Sequence, residues 1–132
     1  MTVPAALGVF AGRALDSLMT QVQGAIAAVI STPDGFDVAS RVSNGDLAAG
    51  ARLAAMASSI TAICGVVGEE SRIGANQSIS IEAEQGYVVM VHIAHPAHPM
   101  ILNLVATKRA VLAQMAYFAR QAAQQLAAQE VS

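Results

Sequence analysis

The chain has 132 residues, of which 55% are hydrophobic and 12% charged, with a net charge of −2 at pH 7. That length fits one small domain, and the composition excludes intrinsic disorder, which needs low hydrophobicity and high charge. Seven Lys and Arg against nine Asp and Glu leave no basic excess, which also speaks against a phosphate-tracking nucleic-acid surface.

From Ala5 to about Thr20, Leu7, Phe10, Ala14 and Leu18 recur at three- to four-residue spacing with Arg13, Asp16 and Ser17 between them, which predicts a first helix. Val22 to Ile30 is almost continuously apolar, the pattern of a strand covered on both faces. Pro33-Asp34-Gly35 then supplies a fixed φ, a side chain that bonds its own backbone and a residue free to take positive φ, so it predicts a hairpin turn. Phe36, Val38, Ser40 and Val42 alternate with Asp37, Ala39 and Arg41, as in a half-exposed strand near a sheet edge.

Ser43 and Asp46 have capping-box spacing at the head of a helix predicted from about Leu47 to Val67. Its Leu53, Met56, Ile60, Ile63 and Val67 sit at three- and four-residue steps, and the other positions are mostly Ala, Ser, Cys or Gly. A helix with no charged face is buried on most sides. One side can rest on a sheet, and a sister helix across a dimer axis is the economical cover for the other.

Beyond Gly74, Ile79, Ile81 and Ala83 alternate with Ser78, Ser80 and Glu82; Glu84-Gln85-Gly86 turns the chain into Tyr87–Ile93, completing a second hairpin. A loop with Pro96 and Pro99 leads to a fifth strand over Met100–Val105. Thr107 is placed to cap a last helix in which Val111, Met115, Phe118, Ala122 and Leu126 line one face. The predicted order is α-β-β-α-β-β-β-α, in one domain over residues 5–128 with short tails at 1–4 and 129–132.

Trp is absent and only three Phe and two Tyr are present, so the core is built from small aliphatic side chains that favour close helix packing. A chain of this size buries roughly two-thirds of the surface its unfolded form exposes. With few charges to cover the remainder, the sequence predicts self-association. Cys64 is the one cysteine, and Met1-Thr2-Val3-Pro4 lacks the basic start of a secretory signal; both point to the cytoplasm. Leu53–Gly68 carries no charge, but it holds Ser58, Ser59 and Thr61 and falls short of the ~20 residues a membrane span needs, so no insertion is expected.

Among groups that can carry chemistry, His92, His95 and His98 are the sharpest, since three imidazoles suffice for a zinc with an open position. Three-residue spacing converges ligands only on a helix, which Pro96 and Pro99 forbid here. The preferred reading is a solvated loop in which His92 faces the sheet and the other two face water, with no metal. Cys64 paired with a histidine has the elements of a nucleophile and base, yet it lies on the apolar helix and reads better as a small buried hydrophobe. Asp34 and Asp37 lack the further oxygen ligands of a calcium loop. Neither Gly35 nor Gly45 precedes a Gly-Lys-Ser sequence, so no phosphate loop for GTP or ATP is predicted. Lys108-Arg109 at the start of the last helix are unfavourable to the helix dipole, and read either as a solvated end or as a mark of an acidic partner; Glu69-Glu70 near the end of the middle one are likewise unfavourable, and read either as following a helix already finished by Gly65 or Gly68 or as a charged contact surface.

Taken together in order and spacing, these segments resemble a Roadblock domain, the family of dynein light-chain roadblock and of bacterial regulators of Ras-like GTPases. The resemblance rests on Gly24–Ser31 followed by Asp34–Ser40, on Arg52-Leu53-Ala54-Ala55-Met56, and on Ile79-Ser80-Ile81-Glu82 with Gly86–Met90. It covers about Leu15 to Leu126. It implies a five-stranded antiparallel sheet of profilin-like type, helices one and three on one face and helix two on the other. It also implies a homodimer, or a heterodimer with a paralogue, in which middle helices pack together and third strands pair. By position, Leu53, Met56, Ile60, Ile63, Cys64 and Val67 on the middle helix and Ile79 and Ile81 on the pairing strand are the candidate dimer or partner residues. The function implied is binding without catalysis: an adaptor, needing no cofactor, that positions or regulates a small Ras-like GTPase. The rivals are a purely structural scaffold and, further off, a small-ligand sensor. The His-Pro loop between strands four and five is a departure from the family pattern.

Overall fold

The computed structural model describes residues 3–130. Its elements follow the predicted order: α1 (Ala5–Gln21), β1 (Ala25–Ser31), β2 (Asp37–Val42), α2 (Leu47–Glu70), β3 (Ser78–Glu82), β4 (Gly86–Ile93), β5 (Met100–Thr107) and α3 (Leu112–Ala127). The five strands form one antiparallel sheet in the order β2-β1-β5-β4-β3. β1 and β5 are interior strands covered on both faces, which is why both are mainly apolar, with Ser31 and Asn103 as their buried polar residues.

Pleating sends alternate residues to opposite faces. Ala28 and Ile30 of β1, Val89 and Val91 of β4, and Leu102 and Leu104 of β5 join Leu7, Leu15 and Leu18 of α1 and Met115 and Leu126 of α3 in the main core. On the other face, Met90 and Ile101 meet Ala57 of α2 in a second, smaller cluster, with Ile60, Ile79 and Val88 packed around it. Helices α1 and α3 therefore share one face and α2 takes the other.

The β1–β2 turn forms as its residues dictate: Gly35 adopts φ +97°, its N–H donates to the Thr32 carbonyl at 3.0 Å, and Thr32 N–H donates to the Phe36 carbonyl at 2.8 Å. Two expected caps do not form. Asp46 stands at the N-cap of α2 without a side-chain bond to the helix backbone: its carboxylate accepts from Arg52 at 3.3 Å, and its N–H donates to Asn44 Oδ1 at 3.0 Å in a local turn. Thr107 likewise closes a turn, its Oγ1 accepting from Arg109 N–H and its carbonyl from Ala110 N–H, so α3 begins only at Leu112. Lys108 and Arg109 thus precede the helix. Lys108 reaches back to Glu82 at 3.0 Å and lies over the Tyr87 ring, tying the end of β5 to the β3–β4 hairpin.

α2 runs through Glu69 and Glu70 rather than stopping at a glycine. At 24 residues it spans about 36 Å, and Ala48–Glu70 is long and apolar enough to cross a membrane, more than the Leu53–Gly68 stretch suggested. One side of it, comprising Gly50, Ala54, Ala57, Thr61 and Gly68, is buried. Small residues there let the backbone approach: a Cβ on Gly50 would come within 2.8 Å of Ser40 Cβ on β2.

Candidate functional site

α2 lies over β2 and β1, touches β5, and leaves the β4–β3 half of its sheet face largely uncovered. On that half, the register pairs Ile79 with Met90 and Ile81 with Val88, so all four side chains project from the same face as α2. The neighbouring flank of the helix carries Met56, 51% exposed, Ile63, 65% exposed, and Val67, 56% exposed. Leu53, Ile60 and Cys64 are half-buried at the same flank. Helix flank and bare sheet together form an apolar trough, open along edge strand β3.

The eight residues named from the sequence as dimer or partner candidates lie along this trough. They divide by role, however. Ile60 and Ile79 already pack on Met90 and Ile101 and form the floor, whereas Met56, Ile63, Val67 and Ile81 present side chains outward. Exposed side chains this large, aligned rather than scattered, mark a contact surface. The Cys64 thiol at the trough's edge stands free.

The three histidines do not converge. His92 shares the α2 face of β4 with Met90, and its Nε2–H donates to Asn76 Oδ1 at 2.5 Å, since that oxygen can only accept. His95, expected to face water, is instead 6% exposed. Its Nδ1 accepts from Ala97 N–H at 3.1 Å and His98 N–H at 3.0 Å, and its Nε2–H donates to the Gln129 carbonyl at 2.7 Å. The imidazole thereby organises the proline loop and holds the segment following α3 on the opposite face from His92. The His98 ring lies beside it, tilted by 40° with centroids 5.6 Å apart. Among the described residues no cluster of His, Cys, Asp or Glu suited to a metal ion occurs.

Burial pushes the His92 imidazole below the ordinary histidine value of 6.5. The folded state then binds fewer protons at this site than the unfolded chain, so its contribution to stability is complete above pH 6.5 and is lost as the pH falls toward the folded value. Urea midpoints measured from pH 7.5 to 5.5 should fall for the wild-type chain. The fall should be shallower for His92→Gln; equal slopes would show that His92 does not contribute.

No protein-family profile and no curated protein matches the chain. Solved structures do. A Roadblock/LC7 domain from Streptomyces avermitilis superposes with a TM-score of 0.77 at 17% identity, covering 87% of this chain and 92% of that one. The gliding protein MglB from Thermus thermophilus gives 0.83 at 18% identity, covering 96% and 93%. Myxococcus xanthus MglB gives 0.80 at 12% identity over 100% of both chains. The superpositions span nearly the whole of both chains in each case, and the fold of this chain is the Roadblock fold.

Proposed function

We propose that the protein is a dimeric, non-catalytic adaptor of the cytoplasm that binds a small Ras-like GTPase and positions or regulates it. The observation that carries the reading is the apolar trough. A monomer exposing Met56, Ile63, Val67 and Ile81 side by side leaves unburied the kind of surface that a second copy removes from water, with α2 packing on its counterpart and β3 extending the sheet across the axis. The open edge of β3 offers unpaired backbone groups for that extension.

The GTPase half of the proposal rests on the resemblance to Roadblock regulators and on the likeness in fold to MglB. The chain's own chemistry is compatible with a role in binding alone: the His92 and His95 imidazoles are engaged in structural hydrogen bonds. A structural scaffold with the same dimer is the second reading, favoured by the same trough.

Nucleotide dependence separates the two. A tagged chain is used to capture partners from cytosol loaded with GDP or with a non-hydrolysable GTP analogue, and the bound proteins are identified by mass spectrometry. Enrichment of a Ras-like GTPase in one nucleotide state at least ~10-fold over the other is expected, a coupling of about 1.4 kcal/mol. Recovery of other proteins regardless of nucleotide, with no GTPase, would overturn the regulator reading in favour of the scaffold.

A further inference from the structure

A second concavity lies outside the trough, where β4 runs on past the start of β3. The cavity is about 670 Å³, within the range of small-molecule sites. Thr61 and Gly65 of α2 form one wall, the His92-Ile93-Ala94 end of β4 and Pro99 the base, and Ala123 and Ala127 of α3 the far wall. The walls are mainly aliphatic. Asn76, Gln77, His92, Arg120 and Gln124 supply the polar atoms, and among the described residues no Asp or Glu lines the site.

Its charge balance is one-sided. Arg120 donates to Ser78 Oγ at 3.3 Å and takes part in none of the ion pairs among the described residues, which join Arg41 to Asp16, Arg52 to Asp46 and Lys108 to Glu82. Asn76 Oδ1 is used by His92, which leaves Asn76 Nδ2 as a buried donor without a partner among the described residues. A buried unpaired donor costs stability until something accepts from it. Arg120 from the α3 side of the sheet edge and Asn76 from the α2 side both line this aliphatic groove, and a guanidinium with an amide N–H₂ matches one ligand chemistry: a carboxylate on a short apolar body.

We propose that this cavity binds a small aliphatic carboxylate, its anion held by Arg120 and Asn76 and its hydrocarbon lying against Ile93, Ala123 and Ala127. The site is independent of the GTPase reading and of the trough. It lies on the other side of α2 from Met56 and Ile63, so dimerisation leaves those flanking residues and this cavity as separate surfaces.

The test titrates the full chain with hexanoate, with its neutral isostere hexanamide, and with the acetylated peptide Ac-Ala-Ala-Ala-Leu carrying a free C-terminus, following amide chemical shifts and calorimetry. Hexanoate is expected to bind with a dissociation constant below ~1 mM and to shift Asn76, Gln77, His92 and Arg120. Hexanamide should bind at least ~10-fold more weakly, since it loses the charge-assisted contacts. Arg120→Gln should weaken hexanoate by a similar factor while leaving the melting temperature of the free protein unchanged, and Arg120→Lys should restore part of the affinity. Equal binding of hexanoate and hexanamide, shifts confined to α2 residues such as Met56 and Ile63, or no binding at 10-fold higher concentration would overturn the proposal. Peptide binding ~10-fold tighter than hexanoate would also overturn it, by assigning the cavity to a protein C-terminus instead.

Discussion

If the chain forms the proposed dimer, Ile63→Glu is expected to hold it as a monomer at concentrations where the wild-type chain associates. Ile63 is 65% exposed, so the substitution removes little from the folded monomer and its melting temperature should barely change. In a two-fold dimer the same change occurs twice. Burying an isoleucine is worth about 1.5–3 kcal/mol, and placing an unpaired carboxylate there adds a further cost, so the dimer loses at least about 3–6 kcal/mol, or roughly 10²–10⁴ in dissociation constant. Ala62→Glu is the control. Ala62 is exposed on the next position of the same helix but points away from the trough, and it should leave association intact. Sedimentation over a dilution series reads both. A monomeric Ala62→Glu, or a fully dimeric Ile63→Glu, would move the interface off this flank.

The trough was half legible in the sequence, and the division has a physical cause. Helical spacing places Leu53, Met56, Ile60, Ile63 and Val67 on one stripe, and the lack of charge around the helix says that more than one side is covered. Which side meets the sheet is decided by size rather than by hydrophobicity. The helix sets Gly50, Ala54 and Ala57 against the strands because a close approach needs small side chains, and the larger residues are turned to the flank. A stripe of Leu, Met and Ile reads from sequence as core, whereas here it forms the flank left bare.

Turns were the most readable features when a single local residue type settles the geometry, as with Gly35 at φ +97°. Caps were less so. Ser43, Asn44, Asp46 and Thr107 all have side chains able to cap a helix, and all have competing turns within two residues. Asn44 and Thr107 close those turns, and α3 starts five residues after Thr107 as a result. His95 escaped because its burial depends on a partner 34 positions away, the Gln129 carbonyl. No local pattern in His95-Pro96-Ala97-His98 announces that contact. The cavity beside β4 was equally hidden, since it joins residues of α2, the segment before β3, β4 and α3 that only the tertiary fold brings together.

Strand β5 is the clearest case of a pattern that the sequence conceals, and it carries the other large expected effect. Met100-Ile101-Leu102-Asn103-Leu104-Val105 shows no simple alternation of apolar and polar residues, because both faces of this central strand are covered. The pairing nevertheless assigns faces: Leu104 sits opposite Ala28 and Val89 in the main core and is fully buried. Val105, one residue on, turns to the α2 side and is only half-buried. Leu104→Ala should therefore cost about 3–5 kcal/mol through lost burial and an unfilled cavity, lowering the melting temperature by roughly 10–20 °C for a domain of this size. Val105→Ala removes fewer atoms from a partly wet site and should cost about 1 kcal/mol. Urea denaturation of the two variants gives the ratio directly. Similar losses at both positions would mean that the two faces of the sheet are covered equally in solution, as they would be if a partner helix seals the α2 side within the folding unit. Repeating the pair in the Ile63→Glu background then separates the effects: a Val105→Ala cost that shrinks in the monomer belongs to the dimer, and one that persists belongs to the chain itself.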